Sequence, residues 1–212
     1  NWFDLNGGVS GLSMRISAFK EINGELICGG TFTSAGGISS NSVAKWNGAA
    51  WLAIPGGISG GQAKVKALGY LFNTLYVGGN FSLADGNAAS NIAAFDGTTW
   101  TNLSGGTNNQ VDALLNYGNE MHVGGAFTMA GGNPATYIAK YRTTCLTNSI
   151  IATTQTSCFN QCNGTATVTA TGNAPFTYQW STTPAQTDST ATNLCAGNYS
   201  VTITDNIGCS IT

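Results

Sequence analysis

Charge is what this 212-residue chain has least of: Lys, Arg, Asp and Glu make up 8 % of it, and a single histidine is present. The seven basic residues stand singly between Arg15 and Arg142, and the formal net charge is −2. No positive stripe exists to neutralise a phosphate backbone, which argues against a nucleic-acid partner. Long apolar runs are missing too. The best stretches, Ala67 to Phe72 and Ile150 to Ala152, fall far short of the roughly 20 residues a membrane helix needs, so no membrane span is expected in this fragment. There is no initiating Met, basic n-region or apolar h-region, so any export signal is expected to lie outside this stretch, with the chain beginning in mid-architecture. One histidine and nine acidic residues spread over the chain are thin material for a base–nucleophile pair or facing carboxylates, and no enzymatic activity is expected.

What is abundant is glycine, with 29 copies, and Ser, Thr and Asn where cytosolic proteins carry Lys and Glu. Four of the six cysteines crowd into the last 55 residues, from Cys158 on. Both features fit an exported β protein in an oxidising compartment, placing it outside the cell or on a bacterial cell surface.

The chain repeats itself. Trp2, Trp51 and Trp100 stand 49 residues apart, each followed by Leu5, Ile54 or Leu103 and then a Gly-Gly pair. Next come alternating segments at Ile16 to Phe19, Val65 to Leu68 and Val111 to Leu114. Strand-like triplets then lead into a second glycine pair, Gly29-Gly30, Gly78-Gly79 or Gly124-Gly125. Phe32, Phe81 or Phe127 follows, then a loop with Ala35, Ala84 or Ala130, and a last segment closed by Trp46, Phe95 or Tyr141. Each copy thus offers four short β segments and none shows a sustained helical period. Paired glycines in mid-strand allow close backbone approach. The third copy is three residues shorter between its Trp strand and the next alternating segment, which marks that stretch as the connection between units.

The pattern Leu75-Tyr76-Val77-Gly78-Gly79-Asn80-Phe81, followed by Phe95-Asp96-Gly97 and Trp100, resembles kelch-like propeller repeats over residues 1–144. The resemblance implies an all-β fold with three four-stranded antiparallel propeller-type blades, a partial propeller. Three blades do not close a ring, so further blades are expected before residue 1, or an open arc. A copper radical oxidase of the propeller type would need several His and Tyr ligands, and one His excludes it.

After Tyr141 the repeat breaks, Arg142-Thr143-Thr144-Cys145 replacing the Asp-Gly-Thr-Thr-Trp of the second copy, and a second domain is expected over 145–212. Alternating runs at Thr165 to Thr169, Thr177 to Trp180 and Tyr199 to Thr204 are spaced like the strands of a small sandwich. Gly164-Thr165-Ala166-Thr167-Val168, Pro175-Phe176-Thr177-Tyr178-Gln179-Trp180 and the run from Leu194 to Cys209 resemble the SprB-type repeat of gliding-bacterial surface adhesins. That resemblance implies a small Ig-like β-sandwich, with the final strand cut short at Thr212. Cys158, Cys162, Cys195 and Cys209 allow three pairings that spacing does not decide. The resemblance favours Cys158 with Cys209 and Cys162 with Cys195. These four cysteines could also imitate a zinc site, but disulfides suit the compartment better.

Other candidate residues have plain structural readings. His122 aligns with Ile27 and Tyr76 as a strand position, and Cys28 aligns with Val77 and Val123 as a small buried hydrophobe. Cys145 has no counterpart. Asp85, Asp96 and Asp205 lie in Gly- and Asn-rich turns where calcium is conceivable, although such aspartates ordinarily bond their own turn. No other cofactor is expected. Trp46, Phe95 and Tyr141 could stack on sugar rings, with blade packing as the competing explanation. The expected task is adhesion to surface glycans or proteins. The alternatives are binding or spacer modules of a secreted enzyme whose catalytic domain lies elsewhere, and a propeller lectin.

Overall fold

In a computed structural model the chain divides into two compact units, Asn1–Arg142 and Thr143–Thr212. The structure describes residues 1–142, 148–154, 162–172, 174–206 and 208–212, with backbone alone at 148–151 and 154. Among them every regular element is a strand, all pairings are antiparallel and no sheet closes on itself.

The first unit is built around three meander sheets. Arg15–Ile22, Glu25–Thr31, Val43–Trp46 and Trp51–Ala53 form the first, in sequence order. Lys64–Leu71, Thr74–Asn80, Ile92–Phe95 and Trp100–Asn102 form the second. Their opening strands join by tight hairpins; in the first, Asn23 and Gly24 both hold positive φ, as the turn that matches strand twist requires.

The sheets run out of phase with the repeat as it reads in sequence. Each Trp strand closes the sheet of the copy before it: Trp51 pairs with Trp46, and Trp100 with Phe95. The third sheet differs from the expected four strands. Among the described residues it has three, Val111–Tyr117, Glu120–Gly125 and Ile138–Tyr141, because the sequence after Tyr141 lacks the Trp segment that completes the others.

Sheet-to-sheet packing explains the glycine pairs. A Cβ on Gly29 would run into Val65 Cγ1 of the second sheet, and one on Gly78 into Val111 Cγ1 of the third. The second glycine of each pair serves its own sheet. The register of Arg15–Ile22 against Glu25–Thr31 shifts between Ile16 and Ala18, and there a Cβ on Gly30 would strike the Arg15 carbonyl. Ile27 and Val43 of the first sheet share one core with Val65, Leu68, Val77 and Trp100. Tyr76 and Ile92 of the second share another with Val111, Met121, Val123 and Phe127.

The loops with Ala35, Ala84 and Ala130 carry two-residue strands absent from the sequence reading. Ser34–Ala35 pairs with Val9–Ser10 and Ile38–Ser39, and Leu83–Ala84 pairs with Ile58–Ser59 and Asn87–Ala88. They clamp the connection entering each sheet. Gly36 N donates to Gly8 O at 2.7 Å, Asp85 N to Gly57 O at 3.0 Å and Gly131 N to Gly106 O at 2.8 Å.

The second unit has two three-stranded sheets. One orders Asn148–Thr154, Gly164–Thr171 and Thr190–Leu194; the other orders Thr177–Trp180, Val201–Thr204 and Ser210–Ile211. Side chains of both meet in one core of Ala166, Val168, Trp180, Ala191, Leu194, Val201 and Ile203. Trp180 spends its indole N–H on the Asp188 carbonyl at 2.9 Å.

Candidate functional site

The aromatic that ends each third strand meets the tryptophan that opens the fourth. Trp46 and Trp51 have ring centroids 5.6 Å apart, Phe95 and Trp100 5.0 Å. Both tryptophans are buried and donate their indole N–H to a carbonyl of the connection entering the same sheet, Trp51 to Leu5 and Trp100 to Pro55, each at 2.7 Å. Phe95 is 8 % exposed, so its ring has no face left for a sugar; Trp46 is half-buried against Trp51. Phe95 is therefore a packing position.

Tyr141 stands differently. Its ring lies 6.2 Å from Tyr76, and burial raises its phenol above the ordinary value. It borders an open cleft of about 550 Å³ along Ile138–Tyr141, floored by Leu103, Ser104, Gly131 and Ala139.

A second cleft, of about 510 Å³, lies in the second unit. Its lining is uncharged and more polar than apolar: Thr182, Gln186, Thr192, Asn193 and Tyr199 stand beside Pro184, Leu194 and Cys195. Gln186 is held in place, its amide donating to Thr192 O at 3.0 Å and accepting from Thr192 N at 2.9 Å. The Tyr199 hydroxyl donates to Cys195 O at 3.3 Å. A Cys162–Cys195 disulfide ties this edge to the start of Gly164–Thr171. Cys158 and Cys145 lie outside the described residues, and with them the other expected pairing; Cys209 is buried.

The remaining candidates are dispersed. Asp96 accepts from Thr98 N and Thr99 N, each at 2.8 Å, and from both threonine hydroxyls. The Thr99 N–H, together with these other donors, holds its carboxyl well below the usual carboxylate range. Asp205 is buried, and its Oδ1 accepts from Cys209 N at 2.9 Å. Asp85 sits in a positive-φ turn beneath Gly56. Among the described residues no three His, Cys, Asp or Glu side chains converge as a metal site would require. His122 lies on the strand Glu120–Gly125, edge-on to Tyr117 at 5.8 Å and 4.0 Å from Glu120 Oε2. Cys28 is fully buried, and burial pushes its thiol up to about 11.

Neither cleft was foreseen. The polar one is assembled from separated stretches of a tail in which Ser, Thr and Asn look alike throughout, and the other gathers residues around Leu103, Gly131 and Tyr141 from three separate segments. Compared with known proteins, the chain matches no family model and no curated sequence.

Proposed function

We propose that this chain is a non-enzymatic pair of modules from an exported surface protein that serves in adhesion. In this reading the three stacked sheets are propeller-type blades of kelch-like character, and the second unit is an Ig-like sandwich of the SprB type. The observation that carries the reading is the polar cleft beside the Cys162–Cys195 disulfide. A disulfide suits an oxidising compartment. A lining of hydroxyls and amides around one tyrosine suits a neutral polar ligand, the chemistry of a surface glycan, better than an ion or an apolar cofactor. Repeated units of this kind present weak sites many times over, so avidity rather than single-site affinity does the work.

The test is a glycan-array and cell-surface binding assay on the purified chain, with and without reductant and with and without calcium. Saturable binding that is lost on reduction and lost in Tyr199→Ala is expected. A calcium requirement would move the contact to the turns of Asp85 and Asp205. Absence of binding under every condition would overturn the adhesive reading and leave the two units as spacers.

A further inference from the structure

The cleft of the second unit is lined by side chains that are spent on the fold and by others that are not. Gln186 is spent throughout. Its carbonyl accepts from Trp180 N at 3.0 Å and its N–H donates to Thr182 Oγ1 at 3.0 Å, which fixes it beside a buried tryptophan. Its side-chain amide then takes both main-chain groups of Thr192, as a neighbouring strand would. The Asn193 amide and the hydroxyls of Thr183 and Thr192 line the same cleft, and among the described residues they have no hydrogen-bond partner.

Thr192 and Asn193 are out of step with the ladder. Between Gly164 and Ala166 the partner on Thr190–Leu194 moves from Leu194 to Ala191, so this strand carries one residue too many there. Such a bulge re-aims a side chain. Asn193 holds a φ of 54°, a conformation that asparagine tolerates better than most residues. Gln186 supplies the bonds that the bulge denies Thr192, so Asn193 is presented from a fixed backbone.

Beside this amide the cleft turns apolar. Pro184 and Leu194 line it, and Tyr199 is 37 % exposed, with its hydroxyl tied to Cys195 O. A free side-chain amide offers donors and an acceptor in one plane. Another amide answers both, and one that carries a methyl also covers the apolar wall. A plain hydroxyl would answer the amide but set a polar edge against that wall. No charged side chain lines the cleft, so nothing there favours an acidic or amino sugar.

We infer that the cleft reads an N-acetylhexosamine. The pyranose ring lies on Tyr199, the acetamido group pairs with Asn193, and its methyl lies against Pro184. Asn193 determines specificity and Gln186 is the residue that positions it. This rests on the glycan-binding reading above and narrows it to one class of sugar.

The probes are the methyl glycosides of N-acetylglucosamine, N-acetylgalactosamine, glucose and galactose, titrated into the full 212-residue chain and followed by nitrogen–proton NMR. One acetamido sugar is expected to bind about tenfold more tightly than its parent hexose, from two hydrogen bonds and a covered methyl, and to shift the side-chain amide signals of Asn193. Asn193→Gly accepts the left-handed backbone and removes the amide at an exposed position, so it is expected to abolish the preference with the fold intact. Gln186→Met loses both bonds to Thr192 and is expected to lower the preference too; Asn193→Gly carries the test if that variant does not fold. Equal affinity for an acetamido sugar and its parent hexose, or a preference that survives Asn193→Gly, overturns the inference and leaves the glycan reading standing. Absence of any shift in the cleft with all four sugars also overturns it, and an empty glycan array removes the reading beneath it.

Discussion

Val111 fills the space directly over Gly78, where any side chain would strike its Cγ1. The same relation joins Val65 to Gly29, so a β-branched residue at the start of one sheet and a glycine in the second strand of the preceding sheet form a matched pair. Packing at interior density leaves such a pair little freedom.

Gly78→Ala is therefore expected to destabilise the first unit by about 1–3 kcal/mol, the cost of overpacking a filled interface. Gly124→Ala, at the matching position where an added Cβ meets only Ala113 Cβ at 3.6 Å and Tyr137 O at 3.9 Å, ordinary contact distances, is expected to stay within about 0.5 kcal/mol of wild type. Urea denaturation of the two variants side by side checks the contrast, and equal losses would contradict the packing account.

The tryptophans that close the sheets combine burial with a hydrogen bond. Trp100→Phe keeps most of the apolar surface and loses the bond to Pro55 O, for an expected cost of about 1 kcal/mol. Trp100→Ala also leaves a cavity between sheets, and about 3–5 kcal/mol is expected. Thermal unfolding of both variants reads the difference.

Reduction acts on the second unit. The Cys162–Cys195 bridge spans 33 residues and anchors a unit with a small core. Its removal by Cys162→Ser with Cys195→Ser is expected to cost about 2–4 kcal/mol, visible as a lowered unfolding transition for this unit while that of the first unit stays in place. A shift of both transitions would disprove the assignment.

Acid acts on Asp96. Its folded-state carboxyl is held below the unfolded value of about 3.9 by the Thr99 N–H and the other donors of its turn. The charged form is therefore favoured by folding. The contribution is complete above the unfolded value and disappears as pH falls through the lower folded one. Asp96→Asn is expected to remove this acid dependence while keeping the turn. A carboxyl titration followed by NMR, with Asp96 still ionised below the unfolded-state value of about 3.9, is the direct check.

Much of this protein follows from local sequence alone. The strands lie where Leu75-Tyr76-Val77 and its counterparts put them, because alternation, β-branched residues and Gly or Asn turns act over a few positions. The change of character after Tyr141 and the all-β class are legible for the same reason. The pairing of the Trp strands was not legible. A 49-residue period has no natural starting point, and only the contact of Trp51 with Trp46 shows that each tryptophan closes the sheet of the copy before it. The two-residue strands around Ala35 and Ala84 are too short for periodicity to register and exist because tertiary hydrogen bonds hold them. The clefts likewise belong to tertiary structure: one gathers distant, ordinary Thr and Asn residues, and the other brings Leu103, Gly131 and Tyr141 together from separate segments. Period and propensity are properties of neighbours along the chain, whereas partners, faces and vacancies depend on which distant segments come to lie side by side.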